Sequence, residues 1–405
     1  MQMILLFFAL SQRPYKQLAE RNTIGMKKMV FTKTALITGR DALDYLRNIE
    51  YKKAVIVTGG QSMVRTGVID RVKAIMYREA CEIVLFSGIS KNPTTGQVEE
   101  GVVFFHKEKP DVVLALGGGS AIDAAKVMLL FYEHPEITWD TVFSMSLEDK
   151  NLKTKLIAIP STSGTASEVT QVGVITLEEQ QFKLAIKTEH IRPDIAILDP
   201  NLPVTLPAHI VAETGMDALT HALEAYINKN GNDFTHALAK EAIEGIMEWL
   251  PISYKEGTVQ SREKIHNFQC MAGMAFSNAG LGMVHGVSHA FGGKYNLAHG
   301  LVNAIILPYS MDYNKKDAEV AAKYTKLSRI LEKDIIEGVK QMNRELDIPA
   351  CIADIGITEE EFKRDFHEIL QNSMKGATVV NPIKVSPEDM EKFINCVYFG
   401  IKVTF

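Results

Sequence analysis

Three of the eleven histidines in this 405-residue chain, His285, His289 and His299, fall within fifteen residues, inside the stretch MVHGVSHAFGGKYNLAHG. Clustered imidazoles point to metal ligation or acid–base work, because a neutral ring nitrogen binds cations and the ring exchanges protons near neutral pH. Upstream, MDALTHALEAY sets Asp217 and His221 four residues apart, which on a helix puts both side chains on one face. His285 and His289 repeat that spacing. One carboxylate and several imidazoles from separate elements can close around a divalent ion, with Fe²⁺ and Zn²⁺ as the leading candidates; the absence of a thiolate argues against a purely structural zinc. Five candidates exceed the three or four a catalytic site needs, and spacing alone does not say which histidine is spare.

Two other stretches suit a phosphate-bearing ligand. In DVVLALGGGSAIDAAK, an apolar run meets Gly117, Gly118, Gly119 and Ser120 and then a helix opening. Glycines there let the backbone approach a diphosphate, while the first free N–H groups of the helix face the anion. The pattern is neither GxGxxG nor a P-loop, since Lys126 lies too far along for GK[ST]. PSTSGTASEVT follows another apolar run and carries Ser161, Thr162, Ser163, Thr165 and Ser167. Hydroxyls at a strand's carboxyl end can hold a ribose or a nicotinamide amide, although a capping box ending at Glu168 accounts for some of them. Together the two loops favour a dinucleotide.

The elements that position these residues divide the chain. Between about Met26 and Pro203, short β-branched runs (52–60, 82–88, 111–120, 155–164 and 194–200) alternate with helical patterns. Such continuous apolar runs predict strands buried on both faces, hence a parallel sheet with crossover helices. From about Pro207 the pattern is mostly long amphipathic helix. ILDPNLPVTLP, with three of the fourteen prolines in eleven residues, predicts the junction. The expected division is an extension over 1–25, an α/β dinucleotide-binding domain over 26–203 and an all-α metal-binding domain over 204–405. MQMILLFFAL lacks a basic leader and is too short to span a bilayer, so no membrane partner is expected. A net charge of −5 without a Lys/Arg cluster excludes the electrostatic footprint of a nucleic-acid binder. Four scattered cysteines without CxxC spacing suit a reducing cytoplasm.

From Met26 onward the chain resembles the iron-dependent, or group III, alcohol dehydrogenases. The resemblance rests on NPT (92–94), GGGSAIDAAK, IPSTSGTASEVT, GMDALTHALEAY, MAGMAFSNAGLGMVHGVSHAFGG and AHGLVNAIILP, and within the family the chain is most similar to the propanol and butanol dehydrogenases. It implies a fold like that of dehydroquinate synthase, with the active site in a cleft between the domains. It also implies that Asp217, His221, His285 and His299 are the metal ligands, and that His289 is a neighbour that relays protons, for which an ordinary imidazole pKa near ~6.5 is suited. Gly118, Gly119, Ser120 and Asp123 match the family's pyrophosphate loop; Thr162, Thr165 and Lys183 match its nicotinamide-ribose side; Asn92 matches a further cofactor contact. The departure is Gly59, where many NAD-preferring members carry an Asp that bonds the ribose 2′-OH and repels a 2′-phosphate. NADP(H) is therefore expected over NAD(H).

The expected reaction is interconversion of small primary alcohols and aldehydes by hydride transfer, with the divalent ion as Lewis acid. Phe268, Met271, Met274 and Phe276 form a candidate apolar wall for a neutral substrate. The rival readings are a zinc-dependent, glycerol-type polyol dehydrogenase and a dehydroquinate synthase-like lyase; the latter needs a basic cluster that these motifs lack. The resemblance further implies a homodimer or larger homo-oligomer.

Overall fold

The computed structural model describes residues 29–142, 152–178 and 182–405; the expected extension over 1–25 lies outside them. Six strands, β1 (Ala35–Thr38), β2 (Lys53–Thr58), β3 (Glu82–Phe86), β4 (Val112–Gly117), β5 (Lys155–Pro160) and β8 (Ile195–Leu198), form a parallel sheet in the order β1-β8-β5-β4-β2-β3. All six residues of β4 are buried and all of β5 but Lys155, as a sheet covered on both faces requires. Alternate residues serve opposite cores. Val55, Val57, Val113 and Ala115 pack with Val98 and Phe105 of α2 (Thr95–Glu108) and Ile122 and Met128 of α3 (Gly119–Glu133). Ala54, Ile56, Leu114 and Leu116 pack with Ile69 and Val72 of α1 (Val68–Met76).

The predicted runs at 52–60, 82–88, 111–120, 155–164 and 194–200 coincide with β2, β3, β4, β5 and β8, but each strand ends two to four residues before its run does. The trimmed tails are glycines, hydroxyl residues and an Asp–Pro, which turn the chain instead of extending it. β1 and an antiparallel hairpin, β6 (Val172–Leu177) with β7 (Phe182–Lys187), were not anticipated. The hairpin's register sets Thr176 opposite Lys183.

After β8 every named element is helical: α4 (Ala208–Ile227), α5 (Asp233–Glu256), α6 (Val259–Ala279), α7 (Met283–Tyr295), α8 (His299–Asn314), α9 (Ala318–Ile330), α10 (Ile335–Glu345), α11 (Glu359–Ser373) and α12 (Pro387–Phe399), with short 3₁₀ turns between some of them. The molecule thus joins a parallel-sheet N-terminal domain to a helical C-terminal domain. Helix α4 is its centre, buried nearly all round from Gly215 to Ile227. Pro308 lies inside α8, where it has no N–H for the carbonyl of Ala304. That carbonyl is taken by the Asn343 side chain of α10 at 2.7 Å.

Candidate functional site

Helix α4 presents Asp217 and His221 on one face, α7 presents His285, and His299 opens α8. One ligand atom each from Asp217, His221 and His285 falls within 4.8 Å of the others, all three residues being buried. The Nε2 atoms of His221, His285 and His299 stand 3.9, 3.8 and 3.7 Å from Asp217 Oδ1. Donors about 2.0–2.2 Å from a tetrahedral ion lie about 3.3–3.6 Å apart, so the three spacings to Asp217 Oδ1 are a few tenths of an ångström long, and His299 stands at the edge of the tighter group of Asp217, His221 and His285. Gly300 permits this approach: a Cβ there would collide with the Glu213 carbonyl of α4.

A second ring of polar groups fixes these candidate ligands. Glu224, buried one helical turn beyond His221, accepts from His285 Nδ1 at 2.6 Å and from the Val284 N–H at 2.7 Å. This leaves His285 Nε2 as the lone-pair side. Ser288 Oγ lies 3.3 Å from His299 Nδ1. Asn303, fully buried, donates through Nδ2 to Asp217 Oδ1 at 2.7 Å and touches His285 Nε2 and His299 Nε2 at 3.2 and 3.1 Å, while its Oδ1 has no partner. Burial pushes His221 down to about 4, and burial with the neighbouring imidazoles holds His299 well below the ordinary value. Neutral rings are the form that ligates cations. Asp217 among these imidazoles, with the Glu224 carboxylate buried behind His285, brings two buried carboxylates to the group, which fits a divalent cation.

His289 stands beside this group, its ring centroid 5.0 Å from that of His299 and 6.1 Å from that of His285. Burial, then His285 and Lys183, push it down to about 3, so the near-ordinary pKa expected for it does not hold. Such a ring stays neutral and can pass a proton only by taking it on one nitrogen and releasing it from the other. Lys183 of β7 faces the same group from the sheet side; burial lowers its ammonium and Asp217 works against that. Of the expected apolar wall, Phe276 stacks on His221 at 4.4 Å between centroids. Phe268 instead fills the space over Gly245 of α5, because a helix face of this length exceeds what one small cleft can use.

The sheet supplies a crevice. The chain leaves β2 toward β3 but leaves β4 toward β5, so the strand order reverses between them, and ligands of open α/β sheets bind outside the carboxyl ends at such a point. Gly59 and Gly117 adjoin there: a Cβ on Gly117 would sit 3.8 Å from both Gly59 N and Thr58 Oγ1. Thr58 Oγ1 is buried without a partner. Helix α3 opens at Gly118 with no side-chain cap, leaving its first N–H groups to a ligand. Thr162 and Thr165 close over this opening; a Cβ on Gly119 would lie 2.5 Å from Thr165 Oγ1. Orphaned hydroxyl, uncapped helix and glycine-lined approach together fit a dinucleotide.

The remaining expected cofactor residues have partners within the protein. Ser120 Oγ donates to the Lys91 carbonyl at 2.5 Å, and the Ser161 N–H donates to the Gly117 carbonyl at 2.8 Å. Asn92 Nδ2 bonds Asn296 Oδ1, just beyond α7, at 2.7 Å. Asp123 faces the hydroxyl loop, accepting from the Ser167 hydroxyl and from the Val174 N–H at 3.0 Å. Thr58, Glu224, Ser288 and Asn303 escaped the sequence reading. Glu224 and Asn303 do carry a signal, since each follows a candidate ligand by one helical turn, in GMDALTHALEAY and AHGLVNAIILP respectively.

Comparison with known proteins is consistent across the chain. The description "Iron-containing alcohol dehydrogenase" matches residues 28–200, and "Fe-containing alcohol dehydrogenase family, C-terminal" matches 211–398. An NADPH-dependent butanol dehydrogenase of Clostridium saccharobutylicum is 40% identical over 379 residues, covering 91% of this chain and 97% of the relative. The 1-propanol dehydrogenase PduQ of Citrobacter freundii is 38% identical over 297 residues, 73% of this chain and 76% of the relative. An iron-containing alcohol dehydrogenase structure from Thermococcus thioreducens superposes with a TM-score of 0.86 at 34% identity, covering 92% of this chain and all of that one. These likenesses favour neither the polyol nor the lyase reading.

Proposed function

The chain belongs to the iron-containing alcohol dehydrogenase family and is an oxidoreductase linking alcohols and aldehydes to NAD(P)H, and from that premise we propose the assignment of its parts. Asp217, His221, His285 and His299 hold one divalent ion, Fe²⁺ in preference to Zn²⁺. Gly59, Gly117, Gly118, Gly119 and Ser120 receive the adenosine and diphosphate part of the cofactor. Ser161, Thr162, Thr165 and Lys183 face its nicotinamide half, Asn92 borders it, and Asp123 acts from behind by holding the loop. The convergence of three imidazole Nε2 atoms on one carboxylate oxygen carries this reading.

When bound, the ion supplies the Lewis acid that polarises the substrate oxygen, and the nicotinamide supplies or accepts the hydride. The chain's own residues do the rest. Glu224 and Ser288 orient the rings of His285 and His299, and Asn303 holds Asp217. Phe276 excludes water from the face of His221. His289, neutral and beside His299, carries the hydroxyl proton between substrate and solvent by exchange between its two nitrogens. Small neutral primary alcohols and aldehydes of the propanol and butanol size are the proposed substrates.

NADP(H) is the proposed cofactor. A carboxylate after β2 would repel a 2′-phosphate; Gly59 carries none, and the Clostridium relative is described as NADPH-dependent. The residues divide into 26–203 and 204–405, and a cytoplasmic homodimer or larger homo-oligomer is the proposed setting. Steady-state reduction of butyraldehyde with each cofactor tests the cofactor assignment: a higher kcat/KM with NADPH, reversed in Gly59→Asp, is expected. Equal use of both cofactors by both proteins contradicts the role of Gly59.

A further inference from the structure

A fully buried lysine ties the hydroxyl loop to the helix that opens at the diphosphate crevice. Lys126 lies two turns along α3 from Gly119 with no exposed surface. Its ammonium meets Ser167 Oγ at 2.9 Å, the Thr170 carbonyl at 3.1 Å, Thr170 Oγ1 at 3.2 Å and the Val172 carbonyl at 2.8 Å. All four acceptors belong to the back half of one loop and its exit into β6. Asp123 sits 3.9 Å away and bonds the same Ser167 hydroxyl.

The loop's other side lies along one face of α6. Ser163 Oγ meets His266 Nδ1 at 2.6 Å, Glu168 accepts from Gln269 at 2.5 Å, Ala166 packs against Gly273, and the Gln171 side chain reaches the Ser277 carbonyl at 3.0 Å. Positions 266, 269, 273 and 277 recur at helical spacing, so the loop is clamped between α3 and α6 along its length. Its front half carries Thr162 and Thr165 over Gly118 and Gly119.

Resting on the assignment of this crevice to a dinucleotide, we propose that Lys126 is a positioning residue for the nicotinamide half. Its ammonium fixes the register of loop 161–172 on α3, so that one helix sets both the diphosphate contact and the height of Thr162 and Thr165. A buried ammonium is costly unless its hydrogen bonds are filled, and a point charge with freely rotating donors can gather carbonyls and hydroxyls from a tight turn. A lysine that merely fills volume would be replaced by methionine with an effect on stability alone.

The test uses full-length metal-loaded protein and NADPH fluorescence. Lys126→Met keeps the length of the chain and removes the ammonium. Its metal content should equal that of the parent protein, while the Kd for NADPH rises about tenfold and kcat falls by about 10- to 100-fold as the ring is misplaced. The KM for aldehyde should change little. Ser167→Ala, which removes one of the four acceptors, should shift Kd and kcat the same way by less, and it decides the matter if Lys126→Met does not fold. A folded Lys126→Met with Kd and kcat within about twofold of the parent overturns the proposal, as does metal lost in step with activity. A parent protein that binds neither NADPH nor NADH would sink the cofactor assignment itself, a result distinct from either.

Discussion

Asp217 and Glu224 place two carboxylates inside α4 with imidazoles about them, and the division of labour among those rings is testable one residue at a time. His285→Ala should lose bound metal and activity together, whereas His289→Gln should retain the metal and slow turnover; elemental analysis beside initial rates separates the two, and equal metal loss would contradict the assignment. Glu224→Gln keeps the shape but removes the anion behind His285, and metal affinity measured by chelator competition should fall by about 10- to 100-fold. The candidate ligands were legible in the sequence as the pair Asp217 and His221 four residues apart and as the cluster His285, His289 and His299 within fifteen. Which histidine is spare was not, since by spacing alone His289 is as good a candidate as His285 or His299. Thr58 was invisible for a related reason: an orphaned hydroxyl is defined by the partners it lacks.

At the scale of elements, the seam between the hydroxyl loop and α6 has a pH signature. Burial pushes His266 down to about 4 from the 6.5 of an unperturbed ring, so the folded state keeps it neutral while the unfolded state takes up a proton. This contribution to stability is present above pH 6.5 and is lost progressively as pH falls toward 4. Urea melts at pH 7.5 and 5 should show a smaller loss in His266→Gln than in the parent protein; an equal loss in both would remove His266 from the account. Asn343→Ala in α10 leaves the Ala304 carbonyl of α8, the one Pro308 cannot serve, unpaired and should cost about 1–3 kcal/mol by the same melts, with metal content unchanged. The five buried runs were read as strands because two-sided burial leaves an unbroken apolar pattern. The β6–β7 hairpin was overlooked because its residues alternate in burial, which gives a weaker signal than a continuous run, and Lys183 was therefore known from resemblance without a strand to place it.

For the whole molecule, the proposed assignment gives sheet and helices each half of a reaction centre. In it the crevice between β2 and β4 receives the dinucleotide and the crossing of α4, α7 and α8 gathers the metal ligands, while loop 161–171 runs from one to the other along α6. Among the described residues no helix is long and apolar enough to cross a membrane. The division into sheet and helix was readable from the change in hydrophobic period near Pro207; the bridging role of the loop was not, since its contacts join residues about a hundred positions apart in the chain. Because metal binds only the folded ligand set, its removal should also lower the melting temperature, by the equivalent of about 2.7 kcal/mol at a hundredfold excess of ion over Kd.

The central claim is that these four side chains hold the ion on which alcohol and aldehyde chemistry depends. It is tested most directly by stripping the protein of metal and titrating Fe²⁺ back anaerobically while following butyraldehyde reduction with NADPH. Activity that is absent without metal and rises to a plateau at one ion per chain, in the parent protein but not in His285→Ala, is the predicted result. Reduction that persists in the stripped protein, or that returns equally in His285→Ala, would contradict it.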